Sequence, residues 1–338
     1  MPIANRRTFL KASAATATAG VATSMAGCLG DDEVSLDFNS PAGEASIQGL
    51  IPTWFAEYVD EIDEGLEVET YHGGELGGHG ESVDNLQTGA LDMYVGGFAI
   101  FAGAYPEIQA YVAPYMYDDI DHAIELSDRE TNDAVDELLT HMEEEVGVRP
   151  LGPAVQGVRR VTTSETPVYE PSDLEPLNLR AVGVPIYLYT LEGMGASTTE
   201  VDQPEIPTAL ATGTVDGQEN PYSIIYGDGI WEHQGYIIET NHQITMLPWH
   251  ISEETYQDLS DTHQDVIQEA TEMTREHAIE WLQEEEDDIK ETLRDEGLEI
   301  IEEDELDLTE WEEQVKPHVR SELDDEVVEM IERFDPDW

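Results

Sequence analysis

One stretch near the C-terminus limits the possible folds more than any other. Over residues 261–296, Val266, Ile267, Ala270, Met273, Ala278, Ile279, Leu282, Ile289 and Leu293 recur at three- and four-residue spacings. That period predicts one continuous amphipathic helix, and Gly297 stops it as a glycine just past a helix end should. A helix this long can lie across more than one domain. Its apolar stripe is packing, and it carries no ligand role.

Upstream, short β-like runs alternate with helical patterns. Residues 34–38 and 66–71 read as strands, with an amphipathic segment over 47–62 between them. A Gly-rich loop, Gly73-Gly74-Glu75-Leu76-Gly77-Gly78, leads to a helix near 81–86, and 91–95 forms a third strand. Residues 121–145 read as one long acidic helix and 148–155 as another strand. Such alternation predicts an α/β fold with a largely parallel sheet. No internal repeat and no low-complexity linker breaks the pattern.

The first thirty residues are a targeting segment. Asn5-Arg6-Arg7-Thr8-Phe9-Leu10-Lys11 is a twin-arginine pattern, the address of an export route for folded proteins. A small-residue stretch follows, too short and mild to span a membrane. It ends in Met25-Ala26-Gly27-Cys28, similar to a lipobox whose cysteine, Cys28, becomes the lipid-bearing first residue, with Met25 where leucine is commoner. Cys28 is the only cysteine, so the exported chain uses no disulfide and no thiol catalysis. From Cys28 onward 311 residues remain (338 less the 27 before it), enough for two domains.

Charge is the other constraint. The chain has 14 Lys+Arg against 76 Asp+Glu, a net charge of −62. The acids are spread over helices rather than gathered in a tail, and apolar periodicity persists beneath them, so the chain is folded rather than disordered. A halophile's surface explains them: at ~1 M salt the Debye length is only ~3 Å and self-repulsion is screened. No basic face exists to neutralise phosphates, which excludes nucleic acid as a partner. Three leader cations set aside, 11 basic residues remain, and Arg159, Arg160 and Arg180 lie close together in sequence. A chain that has discarded most of its cations keeps a guanidinium for a reason.

Other chemistry finds little support. His72 and His79 flank the Gly-rich loop but have no fixed third ligand, so a metal site is not expected and a loop role is. The same loop lacks the Gly-Lys-Ser/Thr ending of a phosphate cradle. His277 and Glu280 share a helix face, a spacing that recurs by chance in so acidic a chain. Neither a Gly-x-Ser-x-Gly elbow nor His-Glu-x-x-His is present. No cofactor is implied. A secreted hydrolase using two carboxylates in a cleft and a sensor feeding a signalling partner remain as rival readings.

Four blocks carry a family resemblance over nearly all of the chain after Cys28. They are Tyr71-His72-Gly73-Gly74-Glu75-Leu76-Gly77-Gly78, Leu86-Gln87-Thr88-Gly89-Ala90-Leu91-Asp92-Met93, and Gly157-Val158-Arg159-Arg160-Val161-Thr162 with Pro171-Ser172-Asp173-Leu174 and Leu179-Arg180. The fourth runs from Ala209-Leu210 through Val215-Asp216-Gly217-Gln218-Glu219-Asn220-Pro221 to Thr240-Asn241-His242-Gln243. Together they resemble the extracytoplasmic solute-binding subunits of tripartite ATP-independent (TRAP) transporters, of the DctP type. The resemblance implies two α/β domains closing on a ligand cleft, a long helix spanning both, and a periplasmic-binding-protein-like architecture. It divides the chain into a signal over 1–27, an anchor linker over 28–33, a first domain over 34–156 plus 246–285, and a second over 157–245 plus 286–338. It further implies a monomer on the outer face of the cell membrane, delivering an organic acid to small and large permease subunits. The family's carboxylate-gripping arginine falls on Arg180, with Arg159 and Asn220 beside it. Arg160 stands where the family has a polar, non-basic residue. Aromatic walls are expected from Phe98 and Tyr187, with Tyr222 and Trp249 as further candidates. A planar guanidinium offers paired N–H donors that match both oxygens of a carboxylate.

Overall fold

In chain order, strands and helices alternate as the sequence pattern implies. The computed structural model describes residues 34–338; the twin-arginine pattern and Cys28 lie outside the described residues. The first elements are β1 (Val34–Asn39), α1 (Ile47–Ile62), β2 (Leu66–Tyr71), α2 (His79–Gln87) and β3 (Met93–Val95). Two 3-10 turns lead to α3 (Ile120–Leu126), α4 (Asp133–His141) and the long strand β4 (Val148–Thr163). Next come β5 (Asn178–Ala181), α5 (Pro185–Gly193), β6 (Ser197–Glu200), α6 (Ile206–Ala211), β7 (Gly217–Asn220) and α7 (Tyr222–Gly227). The chain returns along β8 (Tyr236–Ser252) to α8 (Glu253–Asp258) and α9 (Asp261–Asp295), then closes with β9 (Glu299–Ile301), α10 (Leu308–Glu322) and α11 (Asp325–Phe334).

The nine strands form one sheet in the order β2-β1-β3-β8-β4-β7-β5-β6, with β9 on β8. Its two ends are parallel, β1 pairing with β2 and β3, and β5 with β6 and β7. The middle is not: β8 runs antiparallel to β3 and β4, and β4 antiparallel to β7. The expected largely parallel sheet therefore holds only for the outer strands. A chain that crosses from one end of the sheet to the other and later returns lays its two crossing strands in opposite directions. Register shifts along β4–β8 between Leu151 and Ala154, between Val155 and Gly157, and between Arg159 and Val161 mark where the two ends meet.

Local chemistry explains several boundaries. Ser46 caps α1 by accepting from the Gly49 N–H at 3.3 Å, and Asp63 ends it in a left-handed conformation (φ 54°). Ser260 caps α9 by accepting from the His263 N–H at 3.2 Å. The single acidic helix expected over 121–145 is instead α3, α4 and a π-type turn over Met142–Val146. Short polar side chains break it. Asp128 Oδ1 accepts from the Glu130 N–H at 2.8 Å, and Asn132 Oδ1 from the Ala134 N–H at 3.1 Å, which starts α4 afresh.

At the β1–β3 end, Leu36, Phe38, Ile51, Phe55 and Trp249 pack with Val266, Ile267 and Ala270 of α9. Farther along α9, Ile289 and Leu293 pack on Tyr222, Ile225 and Ile237. So α9, about 50 Å long at 1.5 Å per residue, does brace both ends of the sheet. At the β5–β7 end, Leu179, Ile186 and Leu191 are covered by Trp311, Val315 and Val319 of α10. Among the described residues, no helix is long and apolar enough to cross a membrane.

Candidate ligand-binding site

Two arginines converge where β4, β5 and β7 meet. Arg159 sits on β4 and Arg180 on β5, and they are 3% and 2% exposed. Between them runs β7, whose Gly217 has no room for a side chain, since a Cβ there would lie 2.1 Å from the Thr162 carbonyl oxygen. Both guanidiniums border a cavity lined by Gln48, Gln156, Thr245, Gln203, His79, Tyr187 and Asn220, with Gly97, Ile100 and Val182. Its volume is about 30 Å³, room for little more than a water molecule.

The two arginines are in different electrostatic states. Arg159 is committed within the protein. Its Nε and Nη2 donate to the two carboxylate oxygens of Glu219, the latter at 2.8 Å, and Nη2 also reaches the Glu219 carbonyl at 3.0 Å and Asn220 Oδ1 at 3.1 Å. Nη1 donates to Gln156 Oε1 at 3.3 Å and Thr245 Oγ1 at 3.4 Å. Burial works against the Arg159 charge, but Glu219 outweighs it and holds the pKa above the ordinary arginine value. Burial likewise opposes the Glu219 charge, yet Arg159 and His242 bring that carboxyl down to about 2. His242 Nε2 lies 3.3 Å from Glu219 Oε2, and its Nδ1 is 2.8 Å from the Thr240 hydroxyl.

Arg180 has no such partner. Its Nε donates to the Val201 carbonyl at 2.8 Å, while neither Nη atom makes a hydrogen bond or an ion pair among the described residues. Burial lowers its pKa to about 10; Glu219 and Asp202 offset part of the fall and Arg159 adds to it. It stays a cation at neutral pH, held at a cost, facing a cavity. That is the condition in which a carboxylate is bound most strongly.

Tyr187 stands where expected, on the cavity wall, with the Arg159 guanidinium 5.0 Å from its ring centre. Asn220 is there too. Its Oδ1 is taken by Arg159 and one amide hydrogen by Gln218 Oε1 at 2.5 Å, leaving a second amide N–H. Phe98 is elsewhere. Its ring stacks on Tyr111 at 3.9 Å between centres, and its neighbours Gly97 and Ile100 line the cavity in its place. Trp249 is core, edge-on to Phe55. Tyr222 and Arg160 lie on the other side of β4. There the Arg160 guanidinium sits 4.1 Å over the Tyr222 ring and pairs with Glu286 of α9 at 2.8 Å.

Sequence reasoning missed Glu219, His79, Gln48 and Gln203, as well as Gln156 and Thr245, which accept from Arg159. Glu219 lies inside a quoted block but its partnership with Arg159 has no local signature. His79, expected to be only a loop histidine, starts α2 on the cavity wall, and burial with the Arg180 charge lowers its pKa to about 4. Gln48 and Gln203 approach from opposite ends of the sheet, and nothing in their flanking sequence marks them. Among the described residues, no group of three or more His, Cys, Asp or Glu is placed to hold a metal ion.

A crevice between two sheet ends, a buried guanidinium with both Nη groups open to it, and walls of neutral amides define a receptor for a small anion. Residues 38–325 match the family described as bacterial extracellular solute-binding protein, family 7 (DctP), and the chain belongs to it. The sialic acid-binding periplasmic protein SiaP of Vibrio cholerae is 30% identical over 240 residues, 70% of this chain and 73% of that protein. The ectoine-binding periplasmic protein TeaA of Halomonas elongata is 28% identical over 239 residues, 70% of this chain and 69% of that protein. A crystal structure of a TRAP periplasmic solute-binding protein from Roseobacter denitrificans, with bound L-galactonate, matches with a TM-score of 0.82 at 25% identity. It covers 90% of this chain and 99% of that one. Proteins of this family are extracytoplasmic substrate-binding receptors, not enzymes, and they work with membrane permease subunits.

Proposed function

We propose that this chain is a TRAP solute-binding receptor for a small monocarboxylate bearing hydroxyl groups, gripped through Arg180. The observation that carries the reading is the contrast between the two arginines. Arg159 is already neutralised by Glu219, so the cavity offers one unpaired cation, enough for one carboxylate. The other polar walls are Gln48, Gln156, Gln203, Asn220 and Thr245, neutral groups that both donate and accept, as hydroxyls require. A dicarboxylate would leave its second charge facing amides. Solved relatives with bound L-galactonate, β-D-galacturonate and D-erythronate point the same way, while another holds the dicarboxylate succinate, so succinate is the acid that discriminates.

Because the cavity has little free volume, the acid enters with the lobes parted and is enclosed as they close. We divide the lobes as 34–156 plus 246–285 and 157–245 plus 286–338, with β4 and β8 crossing between them and α9 spanning both. The receptor acts as a monomer, the form that the family resemblance implies. It is anchored to the outer face of the membrane through Cys28 after twin-arginine export, and its acid-rich surface suits concentrated salt. Intrinsic fluorescence in molar KCl, titrated with L-galactonate, D-galacturonate, D-erythronate and succinate, tests the reading. A saturable change with the hydroxy-monocarboxylates, weaker with succinate and without consumption of the acid, is expected. Tighter binding of succinate, or turnover, contradicts it.

A further inference from the structure

Beside the cavity, a line of hydrogen bonds passes twice between the two ends of the sheet. Gly43, in the loop between β1 and α1, donates its N–H to Asp228 Oδ1 at 2.8 Å, just past α7. Asp228 Oδ2 accepts from Gln203 Nε2 at 2.8 Å. Gln203 Oε1 meets His79 Nε2 at 3.0 Å, and His79 Nδ1 meets the Tyr94 hydroxyl. Gly43, His79 and Tyr94 belong to the β1–β3 end; Asp228 and Gln203 belong to the β5–β7 end.

The approach is close enough to need glycine: a Cβ on Gly227 would lie 2.5 Å from the Ser46 nitrogen. Beside it, Ala42 from the β1–α1 loop is 1% exposed within an apolar cluster of Ile206, Leu210, Ile224 and Ile230. The loop is therefore seated in the opposite lobe, not merely near it.

A carboxylate only accepts hydrogen bonds, and this fixes the direction of the whole line. Gln203 turns its NH2 to Asp228 and its carbonyl oxygen to His79. His79 then donates from Nε2 and accepts the Tyr94 hydroxyl at Nδ1. Burial pushes the Asp228 carboxyl up to about 6, so at neutral pH it is still ionised and the direction holds. His79 and Gln203 line the Arg180 cavity, whereas Asp228 does not.

We propose that Asp228 is the positioning residue that latches the closed cleft: it ties the β1–α1 loop to the second lobe and, through Gln203, sets which His79 nitrogen carries the proton on the cavity wall. This rests on the receptor reading above. Asp228→Ala removes both acceptors. Asp228→Asn keeps an oxygen for the Gly43 N–H but presents an NH2 to Gln203, whose amide then reverses, moving the His79 proton to Nδ1.

The probe is whichever of L-galactonate, D-galacturonate, D-erythronate and succinate binds tightest. Stopped-flow fluorescence gives its rates, and 15N shifts of labelled histidine, assigned with His79→Gln, give the tautomer. Asp228→Ala is expected to release the acid on the order of tenfold faster or more with little change in association. Asp228→Asn should release it at close to the native rate but with His79 protonated at Nδ1. Unchanged release from Asp228→Ala, or the same His79 tautomer in native protein and Asp228→Asn, overturns the proposal. Should Asp228→Ala fail to fold, the tautomer in Asp228→Asn decides alone. Should no acid bind the native protein, the receptor reading falls and the latch falls with it, whereas acid binding with unchanged release overturns the latch alone.

Discussion

Replacing Arg180 with methionine should move binding and stability in opposite directions. The buried guanidinium is disfavoured in the folded protein, its pKa falling from 12.5 to about 10 through burial first and then the Arg159 charge. At 1.36 kcal/mol per unit that is about 3 kcal/mol held against the fold. Methionine relieves it but forfeits the Nε–Val201 hydrogen bond, worth about 1 kcal/mol. Without ligand, then, Arg180→Met should unfold in urea at the native midpoint or up to about 2 kcal/mol beyond it. Binding should fall by about 2–5 kcal/mol, the cost of truncating one partner of a buried charge pair, or roughly 30- to 5,000-fold in Kd. Calorimetric titration with the tightest-binding acid and urea unfolding, both in molar KCl, measure the two effects. If the variant binds within a few-fold of native, Arg180 is not the anchor. If it loses about 3 kcal/mol of stability instead, the guanidinium is a structural group and the unpaired-cation argument is wrong.

Three further outcomes follow from the same geometry. Arg180→Lys keeps the charge but not the paired donors, so affinity should drop on the order of tenfold, measured by the same titration. Glu219→Gln leaves Arg159 as a buried, unpaired cation and should cost about 3–5 kcal/mol in urea unfolding at pH 7. Because the Glu219 carboxyl is held down to about 2, its contribution is present above the ordinary carboxylate pKa and is lost as pH falls toward 2. Burial and the Arg180 charge hold His79 down to about 4 in the closed cleft; solvent exposure on opening would return it toward its ordinary value, so the open receptor gains the proton first and affinity falls as pH drops. Asp228, pushed up to about 6 when closed, opposes this: at pH 5.5 the two effects are about tenfold and about fourfold. Native affinity should therefore decline a few-fold between pH 7.5 and 5.5, while His79→Gln should turn the decline into a rise.

How much of this was legible in the sequence depended on whether the signal was local. α1 and β2 carry their own period and caps, and their bounds match the sequence pattern residue for residue. The α9 stripe, Val266 to Leu293, is a period sustained over about eight turns, and all of it but Met273 and Ile279 is buried. The segment over 121–145 misled because acid-rich helical propensity is weak information where Asp128 and Asn132 hydrogen-bond the backbone themselves. Arg180 stood out because cations are scarce, and Arg159 and Asn220 followed from the family blocks. What stayed hidden is pairing across the sheet. That Glu219 forks onto Arg159 while Arg180 has no hydrogen-bonded carboxylate depends on which side chains meet across the sheet. The seating of Phe98 on Tyr111 rather than at the cavity is a matter of one residue, since Gly97 beside it does line the wall.

The most direct test is a crystal structure of the protein with its tightest-binding acid. Both carboxylate oxygens should lie within hydrogen-bond distance of the two Nη atoms of Arg180, one also near the free Asn220 N–H, with Arg159 still on Glu219. A carboxylate bound elsewhere, with the Arg180 Nη atoms still lacking an anionic partner, would contradict the account.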